Sequence, residues 1–292
     1  MLIKEETKKI SFLIQCEDKK GIMQKCVNFF TDRDFNILHC QQHTDSYENM
    51  YFMRMELDLN DLKTSRQQLE DDFDIFAEKN NLKWSCHYSD YTPRVAILVS
   101  KTSHCLYDLI ARKNQGQLHC EIPIIISNHP NLEIIANSFR IPFHYLPVTK
   151  DTKEEQELKV RKLLKQFDID LVVLARYMQI LSGDFIGEWS GKIINIHHAF
   201  LPAFQGANPY QKAYERGVKM IGATSHYATK DLDQGPIIEQ EVVRVGHELT
   251  PKGLKEVGRD AETRALAKAV QAHLESRILI YKNRTIVFNA TH

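Results

Sequence analysis

The fold is decided by the stretch RVAILVS (residues 94–100), an apolar run that ends in a serine. Such a run is typical of a strand that is buried on both faces of a sheet. Three similar runs follow it, namely IPIIIS (122–127), LVVLA (171–175) and KIINI (192–196). Helical patterns separate RVAILVS from IPIIIS and IPIIIS from LVVLA. This alternation predicts an α/β domain with a mostly parallel, Rossmann-like sheet, whose ligands lie beyond the carboxyl ends of the strands.

The first 90 residues have a shorter and more mixed pattern. Strand-like and helical runs follow in the order βαββαβ, with strands expected at 9–16, 36–44, 51–59 and 82–87 and helices after Gly21 and at about 64–80. This order predicts a ferredoxin-like arrangement with an antiparallel sheet. A polar run that contains Pro93 follows and favours a linker. We therefore expect domains at 1–89 and 94–292, joined by a linker at 90–93.

Two later segments carry specific predictions. A charged helix is expected at about 152–167, and its apolar side is predicted to contain Leu158, Leu163, Leu164 and Phe167. A long helix is expected at about 251–275, and the tail ILIYKNRTIVF (278–288) predicts a final hairpin or extended segment.

Composition limits the classes of partner. Lys and Arg number 38 and Asp and Glu also number 38 among 292 residues, so the net charge is zero and a nucleic-acid partner is not expected. No stretch approaches the ~18 apolar residues of a membrane span, and the first residues lack the apolar core of a secretory signal. The six cysteines form no C-x-x-C pair, which favours reduced thiols in a cytoplasmic protein.

A first polar cluster follows the predicted strand at 192–196. Asn195 and His197 lie two positions apart, so their side chains point to the same side of a strand. An amide can donate to an oxygen that gains negative charge, and an imidazole can exchange protons near neutral pH. The pair therefore suits attack on a carbonyl group. A turn-capping asparagine and a core histidine are the alternative interpretation.

A second polar cluster begins at His226 and leads to Asp233, just before Gly235. A carboxylate beside His197 would raise the pKa of the imidazole and could orient a water molecule. Turn aspartates are common, and Asp231 fits that role better than Asp233 does. We predict no metal site here, because the histidines lack an i, i+4 pair and no cysteine accompanies them.

Three separated motifs together resemble the formyltransferase family that uses 10-formyl-tetrahydrofolate. They are NIHHAFLPAFQGANPY (195–210), the loop at 226–238 with an aspartate seven residues after its histidine, and LARYMQIL (174–181). The resemblance covers about 94–285 and implies that Asn195, His197 and Asp233 are the catalytic residues. It also implies a folate pocket, and the matching positions are Met178, Gln179, Leu181, Thr229, Lys230 and Gly206.

The N-terminal residues 1–88 resemble an ACT domain, a small amino-acid-sensing fold. The resemblance implies a site for an effector such as methionine or glycine at Asp18, Gly21, Ile22 and Asn36. A purely structural dimerisation module is the alternative, and either role suggests a homo-oligomer. An ACT domain followed by this catalytic domain is the layout of the formyltetrahydrofolate deformylases.

The resemblance implies hydrolysis of 10-formyltetrahydrofolate to formate and tetrahydrofolate, without a metal or cofactor, in one-carbon metabolism and purine biosynthesis. The loop after the first strand of the domain, at 100–106, has no glycine, whereas relatives that bind a phosphorylated amine use glycines there. That absence favours water as the acceptor. A formyltransferase of the glycinamide ribonucleotide type and a non-catalytic folate or amino-acid sensor are the two alternatives.

Overall fold

The computed structural model describes residues 8–203 and 208–290. Its residues form two compact units, the first made of 8–92 with two C-terminal segments, 275–279 and 286–290. The second unit contains the rest, from Pro93 onward. Among the described residues, no helix has both the length and the apolar character needed to cross a bilayer.

The C-terminal segments differ from the domain division expected from the sequence, which placed all of 94–292 in the second domain. Arg54 donates from Nε to the Ser276 carbonyl at 2.9 Å, and Gln41 donates from Nε2 to the Asn289 carbonyl at 3.2 Å. These long-range bonds attach the end of the chain to the first unit. A hydropathy pattern does not reveal them, because they join single polar side chains to backbone carbonyls.

The first unit is a four-stranded antiparallel sheet with two helices. Its elements are β1 (Lys9–Glu17), α1 (Ile22–Thr31), β2 (Ile37–Asp45), β3 (Met50–Asp58), α2 (Arg66–Asn80) and β4 (Lys83–Tyr88). The strand order is β2-β3-β1-β4 with every neighbouring pair antiparallel. The ferredoxin-like prediction is therefore confirmed. The rings of Phe12, Phe30 and Phe73, whose centroids lie 4.7–5.4 Å apart, join the two helices to the sheet.

The second unit contains a seven-stranded, mostly parallel sheet, as predicted. Its elements are β5 (Arg94–Val99), α3 (His104–Asn114), β6 (Glu121–Ser127), α4 (Glu133–Ser138), β7 (Phe143–Tyr145), α5 (Lys153–Gln166), β8 (Leu171–Ala175), α6 (Gly183–Glu188), β9 (Ile193–His197), α7 (Pro209–Arg216), β10 (Met220–Tyr227), β11 (Ile237–Arg244) and α8 (Pro251–Leu274). The order is β11-β10-β9-β8-β5-β6-β7, and β10 alone among these seven strands runs antiparallel to its neighbours, β9 and β11. The tail forms the hairpin β12 (Ile278–Tyr281) and β13 (Arg284–Val287).

The two faces of this sheet carry different helices. Ile193 packs with Phe185 and Trp189 of the α6 region, together with residues of α5. Helix α8 contacts β9, β10, β11, α3 and α7 instead. Because side chains alternate along a strand, Asn195 and His197 point to the same face as Ile193. The side chain that follows, at position 198, points toward the α8 face.

Helix α5 buries most of the side that its apolar spacing predicts, since Leu164 is fully buried and Leu163 and Phe167 pack against the same core. Leu158 is 63% exposed, so its predicted burial is wrong, whereas Gln156 and Glu157 are buried. Gln156 Nε2 donates to Tyr177 Oη at 2.8 Å, and the backbone N–H of Ser182 donates to Glu157 at 3.0 Å. These polar contacts hold both ends of the segment that follows β8, which explains why polar residues are buried there.

Candidate active site

The paired strands β9 and β10 bring the predicted polar residues together. Asn195 lies opposite His226 and His197 lies opposite Thr224 in the antiparallel register. Thr224 is fully buried and its hydroxyl accepts from the N–H of Leu201 at 3.0 Å, which fixes the chain just after β9. Strand pairing therefore places Asn195, His197 and His226, together with Thr224, on one face at the carboxyl end of β9.

His226 determines how the Asn195 amide is oriented. Nδ1 of His226 lies 2.9 Å from the carbonyl of Tyr227, and a carbonyl can only accept, so Nδ1 carries the proton. Burial lowers the pKa of His226, so the ring is neutral near pH 7 and its Nε2 is an acceptor. The Asn195 Nδ2, at 3.1 Å, donates to that nitrogen. Because the amide is planar, this bond also fixes the direction of the second N–H of Asn195, which can donate to a ligand.

Asp233 lies beside both histidines. Its Oδ1 is 3.2 Å from Nδ1 of His197 and 3.8 Å from Nε2 of His226. Burial alone would raise the pKa of the Asp233 carboxyl, but the hydrogen bond with His197 and the nearby imidazoles outweigh burial and lower it. The carboxylate is therefore ionised near neutral pH. Nε2 of His197 is buried and has no hydrogen-bond partner among residues 8–203 and 208–290, so it is available to a reacting molecule.

We predict a pH-dependent contribution of Asp233 to stability. The folded protein holds a proton on this carboxyl more weakly than the unfolded chain does, so acid favours unfolding. The stability difference between the wild type and Asp233→Asn should be constant above about pH 5 and shrink below about pH 4. Urea unfolding of both proteins over this range measures it. A difference that widens in acid would contradict the lowered pKa.

The loop that carries Asp233 depends on a glycine. A Cβ at Gly235 would lie 1.7 Å from the Tyr227 carbonyl oxygen, which is backbone and cannot rotate away. Gly235→Ala is therefore expected to destabilise the fold by about 1–3 kcal/mol, with a matching fall in the thermal midpoint. Gly187→Ala, in helix α6 with nothing within 4 Å of the new Cβ, is the control and should be neutral or stabilising. Equal midpoints for the two variants would contradict this packing argument.

Two loops lie next to the site and contain most of the predicted folate residues. The aliphatic stem of Lys230 lies alongside Gly183, which joins the loop after β8 to the loop before β11. The N–H of Met178 donates to Ser100 Oγ at 3.1 Å, and the N–H of Gln179 bonds to the Tyr177 carbonyl at 2.8 Å. Apolar side chains stay exposed on these loops, namely Met178 (60%), Ile180 (58%) and Leu232 (56%).

The remaining predicted folate residues within the described ranges have groups that already bond or pack within the protein. Thr229 Oγ1 donates to the Asp231 carbonyl at 3.0 Å, and Leu181 packs partly against the core of the α5 and α6 face. Gly206 lies outside the described residues. The backbone N–H of Gln179 is already used within the loop, so a ligand would have to meet another group of this residue.

The four predicted effector residues do not come together. The N–H of Asp18 donates to the Asn49 carbonyl before the start of β3, and Gly21, with a φ of 80°, begins α1 nearby with Ile22 buried behind it. Asn36 accepts at its carbonyl from Asp58, at the far end of β3. The nine residues of β3 span roughly 26 Å at ~3.3 Å per residue, which separates Asn36 from the other three.

One group of metal-ligand side chains lies close together within the described part of the chain. It consists of His104, Cys105 and Glu262, whose ligand atoms lie within 4.8 Å of one another. Burial raises the pKa of the Cys105 thiol well above its usual value, and the Glu262 carboxylate already accepts from His104 at 2.7 Å. Arg176 adds a positive charge 3.5 Å from the same carboxylate. A protonated thiol beside a guanidinium is a poor donor set for a cation.

Comparison with known proteins assigns the family. Residues 93–270 match the family described as formyl transferase. Over 278 residues the chain is 51% identical to formyltetrahydrofolate deformylase of Synechocystis sp., covering 95% of this chain and 98% of the relative. This chain belongs to the formyltetrahydrofolate deformylase family. The resemblance found in the three sequence motifs is thereby confirmed.

Solved structures agree with membership of the deformylase family. A formyltetrahydrofolate deformylase from Pseudomonas syringae pv. tomato matches with a TM-score of 0.95 and 39% identity, over 98% of this chain and 96% of the other. A phosphoribosylglycinamide formyltransferase from Anaplasma phagocytophilum matches with a TM-score of 0.63 and 31% identity, over 69% of this chain and 97% of the other. The shared part is thus smaller for the transferase.

Proposed function

We propose that this protein hydrolyses 10-formyltetrahydrofolate to formate and tetrahydrofolate at Asn195, His197 and Asp233. The observation that carries the proposal is the free Nε2 of His197, on a ring whose other nitrogen lies 3.2 Å from Asp233. This is the arrangement of a general base with an orienting carboxylate. The Asn195 amide, held by His226, supplies a donor on the same face.

The reaction proceeds by addition of water to the formyl carbon. Nε2 of His197 takes a proton from the attacking water, and the Asp233 carboxylate stabilises the imidazolium that forms. The carbonyl oxygen of the formyl group becomes an oxyanion, which the second N–H of Asn195 and the protonated His197 stabilise. The imidazolium then gives its proton to N10 as the C–N bond breaks. Tetrahydrofolate and formic acid leave, the acid releases its proton to solvent to become formate, and the proton balance needs no metal or redox cofactor.

The loops beside the site fit a folate. A pterin ring is flat and largely apolar on its faces, and the exposed side chains of Met178, Ile180 and Leu232 offer apolar contacts of that kind. The two loops that carry them are adjacent, because the Lys230 stem lies against Gly183. We propose that the ring system binds between these loops, with its formyl group directed toward His197.

Two observations favour water over an amine acceptor. The relative named as a deformylase matches 95% of the chain, whereas the solved transferase matches 69%. In addition, α3 begins after Ser103, and residues 100–106 around its start contain no glycine. The loop thus lacks the glycine-rich backbone that commonly surrounds a phosphate.

The test is an assay of formate and tetrahydrofolate release from 10-formyltetrahydrofolate, with and without glycinamide ribonucleotide. Equal formate release in the two conditions is expected, and it should survive dialysis against a chelator. Release that strictly requires the amine would replace the hydrolase by a transferase. Absence of turnover with high-affinity folate binding would instead indicate a sensor.

We also propose an amino-acid effector and a homo-oligomer, both through the first unit. The first turn of α1 follows Gly21 and has no side-chain cap, so its N–H groups can receive a carboxylate, with Asp18 exposed nearby for an ammonium group. Strand β2 is an edge strand with exposed positions, which can pair with a second copy. Calorimetry of the full chain with methionine and with glycine, and light scattering, test these two proposals.

A further inference from the structure

A second group of buried polar side chains lies on the α8 face of the sheet. We define the Glu262 cluster as His104, Arg176, His198, Tyr210 and Glu262. Glu262 is 1% exposed and is the centre of the group. It accepts from His104 Nε2 at 2.7 Å and from Tyr210 Oη at 2.8 Å, and Arg176 Nε lies 3.5 Å away. Elements far apart in the sequence therefore meet on one carboxylate.

The cluster depends on two unusual backbone positions. Gly258 lies one helical turn before Glu262, and a Cβ there would be 2.1 Å from Tyr210 Oη, so a glycine is needed for the tyrosine to reach the carboxylate. Arg176 has a φ of 64°, a left-handed conformation that favours glycine. Position 176 therefore carries a large arginine side chain although its backbone conformation would suit a glycine.

Stability alone does not explain this cluster. Burying a charged pair is costly, and apolar residues of similar volume would fill the same space at least as well. Nε and Nη1 of Arg176 are buried without a hydrogen-bond partner in the part of the chain that the structure describes. The guanidinium is therefore held mainly by the Glu262 charge and by packing. The cluster therefore forms a wall of bulky side chains, in which His104 and Tyr210 are held by hydrogen bonds to Glu262.

The wall begins next to the catalytic histidine. His198 follows His197 directly, and the two ring centroids lie 5.2 Å apart. The His198 ring lies 6.0 Å from that of Tyr210, which leads on to Glu262. Leu181 and Ala228, which belong to the two loops proposed to hold the folate, pack against the core on the opposite face of the sheet. In the proposed arrangement, the acceptor approaches the formyl carbon from the side away from the folate, where His198 borders His197.

We infer that the Glu262 cluster selects the acceptor by filling the space that an amine substrate would need, so that only water reaches the formyl carbon. The inference rests on the proposed hydrolysis and extends it to specificity. The solved transferase shares the catalytic domain over 69% of this chain, yet its name states an acceptor far larger than water, phosphoribosylglycinamide. The two activities must therefore differ in the residues around a common centre.

The test compares two products from formyl-labelled 10-formyltetrahydrofolate in the presence of glycinamide, a small primary amine. Formate and N-formylglycinamide are quantified for the wild type, Arg176→Gly and Tyr210→Ala. Arg176→Gly suits the left-handed backbone and removes the bulk, and Tyr210→Phe keeps the ring without its hydroxyl. Arg140→Gly is the matched control, because Arg140 also has a positive φ, of 56°, but is exposed. Circular dichroism and thermal unfolding check that each variant is folded.

The wild type, Tyr210→Phe and Arg140→Gly are expected to form formate only. In Arg176→Gly and Tyr210→Ala, the ratio of N-formylglycinamide to formate should exceed the detection limit found with the wild type by at least about tenfold. A wild type that already transfers to glycinamide overturns the inference while leaving formate release intact. Formate as the only product in either folded cavity variant overturns it too. A wild type that releases no formate refutes the proposed function itself, so the two failures are distinguishable.

Discussion

Replacement of Asp233 by asparagine is expected to lower kcat/KM for formate release by about 10²–10⁴-fold. The Asp233 carboxylate lies 3.2 Å from Nδ1 of His197, and its lowered pKa keeps it ionised at neutral pH. An asparagine has nearly the same shape but no charge, so the imidazolium that forms during water attack loses its counterion. Its amide can also present N–H to Nδ1, which would favour the wrong tautomer of His197. Formate release at several substrate concentrations measures the effect.

Asp231→Asn is the matched control for this prediction. Asp231 lies in the same loop, is exposed, and uses its backbone carbonyl for the bond from Thr229. Its replacement should leave kcat/KM within about twofold of the wild-type value, because solvent screens an exposed charge and weakens its interaction with His197. Comparable losses in both variants would mean that loop charge, and not the contact with His197, matters. A near-wild-type rate for Asp233→Asn would remove Asp233 from the mechanism.

The proximity of the candidate catalytic residues could be predicted from the sequence where local geometry sets it, and their proposed roles came from the family resemblance. The spacing of Asn195 and His197 sets their common side through strand alternation. The loop from His226 to Asp233 starts opposite Asn195 and is short, which keeps the carboxylate near the histidines. Only the hydrogen bonds then showed that His226 orients the amide, since the donor and acceptor roles of its two nitrogens depend on Tyr227 and Asn195.

The parts that could not be predicted depend on contacts between distant residues. Glu262 and His104 are 158 positions apart and show no pattern that links them. Gln156 looks like a solvent-exposed residue of a charged helix until its bond with Tyr177 is known. The separation of Asn36 from Asp18 was also not predicted. The two residues bond to opposite ends of β3, and only the strand pairing reveals this. The periodicity of apolar residues indicates which side of a helix or strand is apolar, but it does not predict which polar side chains form contacts.

Replacement of Asn195 by aspartate is expected to reduce kcat by at least about 10²–10³-fold, because one preorganised oxyanion donor is worth about 3 kcal/mol. The change also places a carboxylate where negative charge develops on the formyl oxygen. Moreover, a carboxylate cannot donate to Nε2 of His226, 3.1 Å away, so the bond that orients residue 195 is lost unless one of the two groups takes up a proton. KM should change less than kcat, since the lost donor acts mainly in the transition state.

The control is Asn137→Asp, the same chemical change at an exposed position of α4, which should leave both kinetic constants unchanged. Asn195→Asp should bind the folate substrate with an affinity close to that of the wild type, measured by fluorescence quenching. A variant that loses binding and retains kcat would place Asn195 in folate recognition instead. Retention of both would leave the oxyanion to His197 alone, and the mechanism would then need only the imidazole and its carboxylate.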